Sequence, residues 1–179
     1  MPNAILDPTG ATGTAPRPAA ARARRRPTLA GARVGLLINT KQNARPFLLE
    51  LGRILAEDYG AASVSQRTKL NFAVPEPEDV IKALAAEVDV VVTGVGDCGS
   101  CSAAAAADGV VLEAAGLPTA VIVTDSFRTT ATAMAELRGA PGYEYATTAH
   151  PVAVLTQEQV KERAAQVAGD VVRLLTGPE

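Results

Sequence analysis

The chain has 179 residues, 47% hydrophobic and 3% aromatic, with no Trp and a formal charge of −2 at neutral pH. That length allows one domain with a full core, while so few aromatic rings and so little net charge argue against a nucleic-acid partner. No apolar run is long enough to span a bilayer, and the first thirty residues lack the apolar segment of a secretory leader, so a cytoplasmic protein without membrane contact is expected.

Residues 1–31, MPNAILDPTGATGTAPRPAAARARRRPTLAG, consist largely of Pro, Ala, Gly, Thr and Arg without an apolar period. They are expected to form a disordered basic tail. Arg22, Arg24, Arg25 and Arg26 could act as a basic arm, but charge runs are more often solvated, and that reading is preferred.

Residues 32–179 read as a single α/β domain. RVGLLINT is a short apolar run ending in polar residues, as a buried parallel strand is. ARPFLLELGRILAEDYG places Phe47, Leu48, Leu51, Ile54 and Leu55 on one helical face and stops at Gly60. ASVSQRTK is a weaker strand. PEPEDVIKALAAEV opens with prolines and acids, as a helix start does. VDVVVTGVG is the strongest strand, and SCSAAAAADGVVLEAAG follows it as an alanine-rich helix. PTAVIVTDS is a further buried strand, residues 127–138 a helix, and YEYATTAHPVAVL an extended stretch. The last segment, TQEQVKERAAQVAGDVVRLLTG, is an amphipathic helix capped by Thr156, with Glu158 and Gln159 in its first turn.

Strand and helix thus alternate about five times. The expectation is a three-layer sandwich with a mainly parallel, about five-stranded sheet of flavodoxin-like or Rossmann-like type, its strands near 33–39, 63–68, 88–93, 119–124 and 143–148. Ligands of such sheets bind outside the carboxyl ends of the strands, at the switch point of strand order. That rule gathers Thr40, Lys41, the segment 94–101, Asp125, Ser126 and His150 on one edge.

Segment 94–101 reads GVGDCGSC and holds both cysteines of the chain. Gly94, Gly96 and Gly99 fit the G-x-G-x-x-G of a dinucleotide loop, between a strand and a helix as that fingerprint requires. The fingerprint belongs on the first strand, however, and Asp125 lies further along than the usual ~20 residues. The thiol reading has stronger physics. Cys98 stands at a helix start, where unpaired N–H groups and the positive end of the helix dipole favour an anion. It is therefore expected to be the more acidic and nucleophilic thiol, with Cys101 one turn on. Gly96 and Gly99 would let the backbone approach a ligand and clear bulk from around the sulfur, with Ser100 beside them as a further substrate-binding residue. Buried cysteines also serve as small hydrophobes, but a glycine-rich turn at a sheet edge favours reactivity. A structural zinc lacks ligands, since the chain offers one C-x-x-C and one His.

The stretch VVVTGVGDCGSCSAAAAADGVVLEAAGLPTAVIVTDSF resembles the signature of the UGSC family, named for selenocysteine-Gly-Ser-Cys. It is more distantly similar to component B, the substrate-activating selenoprotein of glycine, sarcosine and betaine reductases. The match covers about residues 88–127, and YATTAHPVAVLT fits the first family more loosely. The resemblance implies that this is a cysteine-containing member, with Cys98 at the selenocysteine position and Cys101 at the resolving position. A thiol is less acidic and a poorer leaving group than a selenol, so Cys98 needs more help from its surroundings.

The function expected from these residues is thiol-dependent catalysis on a small molecule, reductase-like or redox-neutral, with Cys98 as nucleophile and Cys101 as resolving or supporting thiol. His150, the single histidine, is the expected base or proton donor. Thr40 and Lys41 would hold a carboxylate or phosphate, and Asp125 and Ser126 would hydrogen-bond substrate. No bound cofactor or metal is expected; a reductase cycle would draw on an external thiol or a thioredoxin-like donor. A protein redox partner and a homodimer are both allowed. Two alternatives stay open: a nucleotide-binding protein using the glycine loop, and a non-catalytic redox-sensing partner subunit.

Overall fold

A computed structural model describes residues 20–177 of the chain. Five parallel strands form one sheet: β1 (Arg33–Ile38), β2 (Ser63–Thr68), β3 (Val90–Gly96), β4 (Thr119–Thr124) and β5 (Ala146–Thr148). Their order is β2-β1-β3-β4-β5, the flavodoxin-like arrangement with its switch point between β1 and β3. Among the described residues five α-helices connect and close the sheet: α1 (Ala44–Glu57), α2 (Glu78–Glu87), α3 (Gly99–Ala114), α4 (Arg128–Leu137) and α5 (Gln157–Leu175). Among the described residues no helix is long and apolar enough to cross a membrane.

Alternate residues of the central strands feed one core on one face of the sheet and two on the other. Val34, Leu36 and Ile38 of β1, Val90 and Val92 of β3 and Ala120 and Ile122 of β4 meet α1 and α5. Phe47, Leu48, Leu51, Ile54 and Leu55 are the α1 side of that core. On the other face Leu37 and Val91 meet α2 and α3, while Val121 and Val123 meet α3 and α4. Every residue of β3 and β4 is buried, as expected of strands covered on both faces. β2 is almost wholly exposed, because it lies at the sheet edge. The last helix opens with the expected capping box, Thr156 accepting from the Gln159 N–H and the Gln159 side chain from the Thr156 N–H.

Three expectations need adjustment. β3 begins later than expected and continues through Gly94 to Gly96. β5 covers 146–148, since Tyr143 and Tyr145 pack against each other and into the α3–α4 core instead of pairing. The expected tail, residues 1–31, is the larger correction. Residues 1–19 lie outside the described residues, but 20–31 are packed onto the domain. The buried Glu113 carboxylate of α3 accepts four hydrogen bonds of 2.8 Å, from the Arg25 guanidinium twice and from the Ala23 and Thr119 N–H groups. Arg26 bridges Thr176, and Leu29 is buried in the α1–α5 core. One saturated carboxylate does here what apolar periodicity does elsewhere.

A second buried pair ties the β2–α2 loop to α3. Lys69 and Asp108 form an ion pair with side chains 2% and 1% exposed, and Asp108 also accepts from the Glu76 N–H at 2.6 Å. Burial raises the Asp108 carboxyl, with Lys69 opposing it. The loop pinned this way carries Phe72 towards the site.

Candidate functional site

The carboxyl ends of all five strands lie along one edge, which brings together loops widely separated in sequence. Cys98 follows β3 with extended backbone and is the N-cap of α3. Its sulfur accepts from the Cys101 N–H at 3.4 Å and lies 3.8 Å from the Ser100 hydroxyl. The Cys101 thiol donates to the Cys98 carbonyl at 3.2 Å. Cys98 is half-buried, Cys101 fully buried, and both are free thiols.

The two sulfurs diverge electrostatically. Burial works to raise the Cys98 thiol, but the Cys101 thiol and N–H, the Ser100 hydroxyl and the Lys41 charge outweigh it and bring it below the ordinary value. Cys101 is pushed up to about 12 by burial first, then by the Cys98 sulfur. The two thiols thus shift in opposite directions, Cys98 downward and Cys101 upward.

Lys41 follows β1, its backbone N–H bonded to the Asn39 side chain at 3.2 Å and its ammonium 5.3 Å from the centre of the Phe72 ring. Its charge is among the groups that stabilise the Cys98 thiolate. Thr40 is exposed beside it. Asn43 leaves α1 without a side-chain cap, because its amide donates to the carbonyls of Val152, Ala153 and Leu155 at 2.9–3.2 Å.

That amide is half of a clamp on the β5–α5 loop. The other half is Asp97, a buried carboxylate next to Cys98. It accepts from the Val152 N–H at 3.1 Å, the Ala153 N–H at 2.9 Å and His150 Nδ1 at 2.8 Å. The His150 ring also lies 3.2 Å from the Thr124 hydroxyl and packs edge-on against Phe127, with centroids 5.3 Å apart. His150 thus sits on the edge formed by the strand ends, tied to the residue preceding Cys98. Two peptide bonds here are cis, Gly94–Val95 and His150–Pro151.

Asp125 and Ser126 reach the same edge, but Asp125 Oδ1 is engaged by the protein. It accepts from the His150 backbone N–H at 3.1 Å and from the Ser126 N–H at 2.7 Å, with the Ser126 hydroxyl at 3.3 Å. The glycines divide in the same way. A Cβ on Gly96 would stand 2.7 Å from the Ser102 hydroxyl and 2.9 Å from a Val123 methyl, so this glycine lets α3 close onto the sheet. A Cβ on Gly94 would stand 2.9 Å from the Ile122 carbonyl oxygen. Of the three glycines in the segment 94–101, Gly99 alone faces open space. Among the described residues no group of three or more His, Cys, Asp or Glu side chains is placed to hold a metal ion. Two cavities lie away from Cys98, one of about 240 Å³ beside Glu113 and Tyr143, the other of about 340 Å³ along the β2–α2 loop.

Asp97 and Asn43 were not among the residues singled out from sequence. The available signal for Asp97 was its position: an acid directly after a strongly apolar strand has to find donors when the strand end is buried. Asn43 gave no comparable signal.

A model of the UGSC family matches residues 4–177. No curated protein matches the chain. Among solved structures, the chain is similar to an ABC transporter permease from the Pseudomonas fluorescens group, at 16% identity over 77% of this chain and 32% of that one, with a TM-score of 0.41. It is also similar to the flavodoxin-like domain of a Synechococcus sp. protein, at 14% identity over 79% of this chain and 99% of that one, with a TM-score of 0.39. The chain spans about a third of the first of these, and neither likeness bears on its activity. The family match is of another order: it runs through the strand, the two thiols and the His150 loop, and the chain belongs to the UGSC family.

Proposed function

We propose that this protein is a thiol-dependent enzyme acting on a small molecule, a cysteine-containing UGSC member whose Cys98 takes the selenocysteine position. The observation that carries the reading is the pair of free thiols at the start of α3, where the N-cap Cys98 sulfur accepts from the Cys101 N–H and the Cys101 thiol donates to the Cys98 carbonyl, with Cys98 shifted down and Cys101 up. In the first step the Cys98 thiolate attacks an electrophilic centre of a substrate R–X. A Cys98 S–R bond forms, the X bond breaks with its electron pair, and the proton given up by the Cys98 thiol reaches the leaving group through His150. In a reductase cycle the Cys101 sulfur then attacks Cys98. This forms the disulfide and expels R with the bonding pair, to be protonated as R–H. That demands an R able to carry the pair, such as a carbon next to a carbonyl or a heteroatom. The sum is R–X plus two thiols giving R–H, HX and a disulfide, which an external thiol or thioredoxin-like donor reduces.

The first step prepares the second. Besides burial, the Cys98 sulfur is what holds the Cys101 thiol up. Capping Cys98 as a neutral adduct removes that charge, so Cys101 becomes easier to ionise once an adduct exists. A redox-neutral cycle would release R from Cys98 without Cys101 turning over. Lys41 is the cation available to an anionic substrate group. The nucleotide reading draws no separate support from Gly94 and Gly96, which have packing reasons of their own.

The test is intact-mass analysis of Cys98→Ser and Cys101→Ser proteins incubated with cell extract. Cys101→Ser should accumulate an adduct whose mass names the substrate class, and Cys98→Ser should accumulate none. A disulfide that forms without turnover of any substrate would instead indicate a redox-sensing subunit. Protection of the thiols by added nucleotide would favour the glycine-loop reading.

A further inference from the structure

Asp97 is a buried charge to which the proposed chemistry gives no role. Its side chain is 4% exposed, and its partners are the N–H groups of Val152 and Ala153 and His150 Nδ1. A carboxylate only accepts hydrogen bonds, so the short contact to Nδ1 requires a proton on that nitrogen. The second neighbour of Nδ1 says the same. The Thr124 hydroxyl gives its single proton to the Gly96 carbonyl at 3.2 Å, which leaves its oxygen, 3.2 Å from Nδ1, as an acceptor. Two acceptors face one ring nitrogen from β4 and from the β3–α3 junction. A neutral imidazole has one N–H, and here it belongs on Nδ1, with the lone pair on Nε2.

We infer that Asp97 is a positioning residue that holds neutral His150 in the Nδ1–H tautomer, making Nε2 the atom that exchanges a proton with the group reacting at Cys98. The last clause rests on the proposed function; the tautomer rests on the hydrogen bonds alone. The division of labour is clear in the geometry. Asp125 fixes the His150 backbone through its N–H, the Phe127 edge limits ring tilt, and Asp97 sets the ring's protonation. One carboxylate thus couples the nucleophile segment to the proton carrier, since Asp97 precedes Cys98 directly and spans to the His150 loop.

His150 is the only histidine in the chain, so isotope-labelled histidine reports a single ring. Long-range proton–nitrogen correlation at alkaline pH should show a pyrrole-type Nδ1 and a pyridine-type Nε2 in the wild-type protein. In Asp97→Asn the amide oxygen is expected to stay with the Val152 and Ala153 N–H groups, turning the NH₂ group on Nδ1. The tautomer should then invert while the fold persists, and adduct formation at Cys98 should slow by about 10²-fold or more, the usual worth of a positioned acid or base. Thr124→Val should keep the Nδ1 proton, because Asp97 remains. A wild-type ring protonated on Nε2 overturns the inference, as does an Asp97→Asn ring that keeps its Nδ1 proton. If Asp97→Asn does not fold, the wild-type spectrum still decides. An intact tautomer with no adduct at Cys98 would sink the proposed function and leave the role of Asp97 in place.

Discussion

Alkylation of the native protein with iodoacetamide, followed over a pH series from mildly acidic to mildly alkaline, should label Cys98 well before Cys101. Cys98 lies below the ordinary thiol value of 9.0, whereas Cys101 is pushed up to about 12. At any pH below both values, a gap of at least about 3 units makes the thiolate about 10³ times more abundant at Cys98. The more acidic thiolate is the weaker nucleophile, and a Brønsted slope of about 0.4–0.5 returns about 15- to 30-fold of that advantage. The net preference is at least about 30- to 60-fold from ionisation alone. Burial widens it, because Cys101 is fully inaccessible and reacts only after local opening. Fragmentation mass spectrometry localises the label, since both sulfurs fall on one short peptide. The rate at Cys98 should climb with pH until its own ionisation is complete. Equal labelling, or faster labelling of Cys101, would refute both the thiolate assignment and the direction of attack.

Glu113→Ala strands the Arg25 guanidinium and two backbone N–H groups, so urea denaturation should show a loss of about 3–5 kcal/mol; a loss below about 1 kcal/mol would mean the 20–31 segment adds little. For the same reason, deleting residues 1–31 should lower stability, measured as a fall in the urea midpoint. Lys69→Met leaves Asp108 buried without its partner and should cost a similar ~3–5 kcal/mol, while Lys69→Met combined with Asp108→Leu should recover part of it. That recovery, also read from urea midpoints, should be incomplete, because the Glu76 N–H loses its acceptor. Gly96→Ala forces a methyl group against Ser102 and Val123, so thermal melts should reveal a cost of about 1–3 kcal/mol together with slower Cys98 labelling. Gly99→Ala enters open space and should be neutral or stabilising by up to ~1 kcal/mol, so equal damage at the two glycines would argue for a ligand-cradling loop.

The strands and helices of this chain were legible because apolar periodicity reports directly which local conformation can bury its side chains. β4 lies where PTAVIVTDS put it, and the buried face of α1 is the one spaced by Phe47, Leu48, Leu51, Ile54 and Leu55. Parallel pairing followed from the alternation of strand and helix, and the helix-start position of Cys98 from the break between an apolar strand and an alanine run. Strand order was not written there. Placing β1 between β2 and β3, and leaving β2 exposed at an edge, depends on how whole layers cover one another. Polar partnerships were equally out of reach. Arg25 looked like one arginine in a solvated run, yet it ends bidentate on Glu113, 88 residues away. Asp97 drew no notice beside Cys98, yet it holds a histidine and a loop 53 to 56 residues further on. A buried carboxylate is satisfied by whichever donors the tertiary fold brings within hydrogen-bond reach, and no local pattern encodes donors that far away. Sequence determined which thiol begins the helix; only the folded chain decided which groups surround it.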